Sequence, residues 1–79
     1  MSENHFSNLI EKLAELEDQL VIAKKDRDNA KCEVAELVKK NALMRDIECK
    51  QEMVDHHSSR VEYYSNCILS LRRRIKRAS

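Results

Sequence analysis

The sequence predicts an all-α coiled-coil protein, and three observations carry that expectation. Its 79 residues include no glycine and no proline, which disfavours tight hairpin turns, sheet corners and phosphate-cradling loops. Charged residues make up 37% and hydrophobic residues 42%, while aromatics are only 4%, too little bulk for an ordinary core and too much aliphatic content for a disordered chain. Apolar residues also recur at alternating spacings of three and four, which places them on one face of a helix. A chain this short buries little core as a monomer. One helical unit spanning residues 1–79 is expected, with no linker, repeat or low-complexity tract to divide it.

The first seam begins at Phe6. One heptad column runs Phe6, Leu13, Leu20, Arg27, Val34 and Asn41, and its companion runs Leu9, Leu16, Ala23, Ala30, Leu37 and Met44. Ten of these twelve are apolar, and the mismatch between 3.5 and 3.6 residues per turn implies a left-handed supercoil. Arg27 and Asn41 interrupt the seam, either to set register and partner number or as points of local loosening. Asn8 with Glu11 has capping-box spacing and marks an expected helix start.

After Met44 the pattern slips by one residue. The second seam runs Ile47, Val54, Val61, Ile68 and Ile75, with Lys50, His57, Tyr64, Leu71 and Ala78 beside it. The β-branched column is regular and its companion is half polar, so this half packs less completely. The slip marks either a discontinuity in one long helix of about 105 Å or the join of an antiparallel two-helix hairpin near residues 40–46. For the hairpin, Lys39 and Lys40 face a helix C-terminus, Asn41 tolerates a left-handed cap and Asp46 is placed to cap a second helix. For the rod, Ala42, Leu43, Met44 and Arg45 are strong helix formers with no breaker. Ser59 with Glu62 repeats the capping-box spacing and marks a second candidate kink.

The net charge of +1 conceals a gradient. Residues 1–30 hold seven acids and four bases, residues 31–60 hold six of each, and residues 61–79 hold Glu62 against five bases. Antiparallel pairing, which lays the acidic start beside the basic end, is therefore favoured.

Candidate functional residues fall into two sets. Leu9, Leu13, Leu16, Leu20, Val34, Leu37, Asn41, Met44, Ile47, Val54, Val61, Ile68, Leu71 and Ile75 form the expected oligomer interface, the partner being a second copy or another helical protein. Arg72, Arg73, Arg74, Lys76 and Arg77 put five cations into six residues, a pattern that neutralises phosphates in RNA or DNA. No aromatic residue interleaves with them, so base stacking is not indicated. The same cations also complement a helix C-terminus and the acidic end of a partner.

Other chemistry has little footing. Cys49, Glu52 and His56 share a helix face, but a structural zinc site needs four ligands, so no metal and no cofactor are expected. Catalysis needs a nucleophile, a base and an oxyanion site in a shielded pocket, so neither an enzyme nor a small-molecule substrate is expected. Cys32, Cys49 and Cys67 are read as reduced thiols, their odd number and wide spacing matching no disulfide framework. With no long apolar run and no secretory signal pattern, the expected location is inside the cell, the cytoplasm ahead of the nucleus, with no membrane partner.

The run Gln19-Leu20-Val21-Ile22-Ala23-Lys24, followed by Asp28 and Ala30, resembles the first helix of the N-terminal coiled-coil domain of hantavirus nucleoproteins. The stretch Ile68-Leu69-Ser70-Leu71-Arg72-Arg73-Arg74-Ile75 is similar to the basic-aliphatic end of the second helix in that family. The resemblance implies an antiparallel hairpin that helps nucleoprotein subunits associate while the rest of the protein encapsidates viral RNA.

Overall fold

The structure, a computed structural model, describes the backbone of residues 2–78 and the side chains of residues 7–77. Two helices account for nearly all of it: α1, Ser2–Lys39, and α2, Met44–Ala78. They fold back on one another as a hairpin 60 Å long and 14 by 13 Å across. The chain therefore adopts the hairpin, and the continuous rod is set aside. Phe6 and Ala78, expected in the seams, have side chains outside the described ones.

The turn is built by a single left-handed residue. α1 ends with Lys39 in its last turn, its cation near the negative pole of the helix. Asn41 has φ 56°. The N–H of Ala42 donates to the Leu37 carbonyl at 3.0 Å and the N–H of Asn41 to the Val38 carbonyl at 3.2 Å, which together make a Schellman motif. Asparagine tolerates this conformation better than any other residue between Lys39 and Met44. α2 starts from the Leu43 carbonyl, which accepts from Asp46 N–H at 3.0 Å and Ile47 N–H at 3.2 Å. Leu43 thus occupies the cap position and Asp46 lies inside the first turn, where its charge meets the positive pole of the helix. That corrects the expectation of Asp46 as the cap.

One further expectation is corrected: α1 is already helical at Ser2, so Asn8 is an interior residue; α2 stays helical through His57-Ser58-Ser59. A polar residue three before a glutamate is simply a neighbour on the next turn when no Gly or Pro stops the helix.

Three ion pairs set the register of α1 against α2. Lys50 Nζ meets Glu33 Oε2 at 2.7 Å, Arg60 Nη1 meets Asp26 Oδ2 at 3.2 Å, and Arg72 Nη2 meets Glu17 Oε1 at 3.4 Å. As α2 ascends, its α1 partners descend, so the acid-to-base gradient is matched within one chain. Each pair is partly exposed and contributes at most about 1 kcal/mol. Ala23, Ala30, Val54, Ile68 and Leu71 are buried and form the core.

Candidate functional site

Most seam residues reach the helix interface and then stop short of full burial. Leu9, Leu13, Leu16, Leu20, Val34 and Leu37 of α1 are half-buried, as are Ile47, Val61 and Ile75 of α2, while Val54, Ile68 and Leu71 are buried. The reason is geometric. An α-helix presents an apolar stripe wider than one antiparallel neighbour can cover, so each Leu keeps one flank in solvent.

Asn41 and Met44 do not belong to the seam. Asn41 is the left-handed turn residue and is exposed, and Met44 is 68% exposed at the first residue of α2. The heptad columns run through them only if the helix continues, and the chain reverses there instead. The one-residue slip in the pattern is the turn itself. Arg27, the other interruption, is half-buried and turns its Nε to Asp28 Oδ1 at 3.2 Å, leaving its aliphatic stem along the seam.

At the level of Arg27 the interface is polar. Arg60 Nη1 lies 3.0 Å from His57 Nδ1 and 3.2 Å from Asp26 Oδ2. Arg60 has only N–H donors, so His57 Nδ1 is the acceptor of this contact. The cluster ties the two helices together at mid-length.

The basic run lies at the open end of the hairpin. Arg72 is drawn back to Glu17, while Arg73, Arg74 and Arg77 are exposed. Arg74 also borders a feature that the heptad reading does not reveal, an open groove of about 770 Å³ along one face of the hairpin. Its floor includes Leu16 and Leu71, and its walls include Gln19, Tyr63, Tyr64 and Cys67. The Tyr63 phenol is held above its usual pKa of 10.0, first by a hydrogen bond with the Cys67 side chain, then by charge on that sulfur, local desolvation and Tyr64. Tyr63 is nonetheless 63% exposed. The sequence signal for this face was available in off-seam apolar residues: Ile22, Met53 and Tyr63 all lie outside the two seams and all are exposed.

The three cysteines are free. Among the described residues no group of three or more His, Cys, Asp or Glu is placed to hold a metal ion, and no helix is long and apolar enough to cross a membrane. No family model, curated protein or solved structure matches the chain.

Proposed function

We propose that this protein is a non-enzymatic helical-hairpin module that acts by association, with a second copy or with another helical protein. The supporting observation is the incomplete burial of its own seam. The hairpin exposes 6394 Å², against about 5,000 Å² for a compact protein of its mass. Among the described residues only five side chains form the core, and apolar residues including Ile22, Val21, Leu69 and Tyr63 stay exposed on its flanks. Each fully buried Leu or Ile is worth about 1.5–3 kcal/mol relative to exposure, so covering the open flanks of seven half-buried seam leucines and valines is a strong drive toward more helices. The antiparallel hairpin is also the architecture that the hantavirus-nucleoprotein resemblance implies, and it supports an associative role. Thermal unfolding followed by circular dichroism across a concentration series tests the reading. A midpoint that rises with concentration, or a chain that melts readily alone and is stabilised by a helical partner, is expected. A monomer melting above about 65 °C, the upper end for ordinary domains, with no concentration dependence overturns it.

A second reading rests on the exposed Arg73, Arg74 and Arg77 at one end of the hairpin, which offer a phosphate-binding patch on a helical scaffold. Filter binding to an RNA duplex over a salt series tests it. Affinity that falls steeply with salt and is lost on replacing Arg73, Arg74 and Arg77 by Gln supports it. No binding at low salt removes it.

A further inference from the structure

We propose that a second copy of this chain docks antiparallel onto the groove face, with a two-fold axis crossing the hairpin at Ile22 and Tyr63. This rests on the associative reading above and adds to it the face, the partner and the sense.

The face is defined by residues at heptad spacing. In α1 it carries Lys12, Gln19, Asp26 and Glu33 in one column and Glu15, Ile22, Asn29 and Glu36 in the next. In α2 it carries Met53, Arg60, Cys67 and Arg74, and beside them His56, Tyr63, Ser70 and Arg77. The groove walls confirm the grouping, since Lys12, Glu15 and Gln19 line it together with Tyr63, Cys67 and Arg74.

Three features of this face point to a copy of itself. The first is charge. Toward the open end it bears Lys12, Arg74 and Arg77 against the single acid Glu15; toward the turn it bears Glu36 together with Asp26 and Glu33, which are partly exposed and paired within the chain to Arg60 and Lys50. A parallel copy sets like charges against each other, while an antiparallel copy sets each half against its complement. The second is the symmetry of that pattern. The interhelical ion pairs put Ile22 and Tyr63 at about the same level, and both lie near the middle of the hairpin. Glu33 is eleven residues from Ile22 toward the turn, and Lys12 is ten residues from it toward the open end. An axis at Ile22 lays the two α1 helices along one another with Lys12 over Glu33 of the second copy. The third is shape. Ile22 and Met53 are both 47% exposed, and Met53 is ten residues from Tyr63 toward the turn. The same axis carries Met53 of the second copy over the groove, on the far side of Tyr63, while the two Tyr63 rings meet near the centre. Flexible methionine suits an open groove, and tyrosine is favoured at interface cores.

The area suffices. A face 60 Å long and 14 Å wide offers about 800 Å² per copy, the size of a standard specific interface. The product is a four-helix bundle that covers the groove flank of Leu16 and Leu71.

Sedimentation equilibrium of the full chain, with circular dichroism to confirm helix content, tests the proposal. Wild type is expected as a dimer. Tyr63→Lys and Ile22→Lys, both at exposed positions, are expected to shift the mass to a single chain at concentrations where wild type is dimeric. Val21→Lys and Leu69→Lys, exposed on the opposite face, are expected to leave it dimeric. Lys12→Glu should raise the dissociation constant about fivefold, because each of two symmetry-related contacts contributes modestly. A monomeric wild type overturns the proposal and leaves association with another helical protein standing. A dimer broken by Val21→Lys but not by Tyr63→Lys overturns it while leaving self-association intact. A dissociation constant left unchanged by Lys12→Glu overturns the antiparallel sense.

Discussion

Replacing Asn41 by alanine should open the hairpin. Asn41 is held at φ 56°, a conformation that costs a residue bearing Cβ about 1–2 kcal/mol and costs asparagine less. We take about 1 kcal/mol as the penalty added to the turn by Ala. The same change improves helix propensity by roughly 0.6 kcal/mol, and the neighbours Ala42, Leu43, Met44 and Arg45 offer no resistance to continued helix. Both effects act in one direction, so the balance between turn and continuous helix moves by about 1.5 kcal/mol, or roughly tenfold. The opened form keeps its seam by exchanging helices with a second chain. Small-angle scattering then detects a rod of about 105 Å beside the 60 Å particle. Asn41→Gly should do the reverse, since glycine enters the left-handed region freely and is poorer in helix. The reasoning fails if Asn41→Ala keeps the short particle and unfolds in urea with unchanged free energy, or if Asn41→Gly elongates it.

Further outcomes follow from single side chains. Ile68→Ala should cost about 2–3 kcal/mol in urea denaturation, near the lower end for buried aliphatic truncation because its surroundings are half open; Ile68 is 5% exposed, and a loss below about 0.5 kcal/mol contradicts its place in the core. Arg27→Leu should stabilise the hairpin by about 1–2 kcal/mol, replacing a seam cation by an apolar side chain; a decrease, or a change in oligomer mass, would show that Arg27 sets register. Cys67→Ala should lower the Tyr63 pKa toward its ordinary value, because the hydrogen bond with Cys67 is the main cause of its rise. Tyrosinate absorbance during an alkaline titration reads this directly, and an unmoved titration removes the Tyr63–Cys67 bond from the groove.

Much of the fold was legible in the residues. Two seams of alternating spacing gave the helices and their inward faces, and Val54, Ile68 and Leu71 are buried where that spacing put them. The charge gradient pointed to antiparallel neighbours, and Glu17, Asp26 and Glu33 do meet Arg72, Arg60 and Lys50. Local chemistry could not choose between rod and hairpin, because Ala42 to Arg45 favour helix as strongly as Asn41 favours a stop. The pairing of two seams dozens of residues apart in sequence tips that balance, and a local window does not contain it. The same long-range decision removed Asn41 and Met44 from the seam and made the slip a turn. It also created the groove face, since Gln19 and Cys67 become neighbours only once α2 lies against α1. Periodicity assigns residues to sides of a helix; only the register of one helix on another says which sides are joined, which are half covered and which remain open.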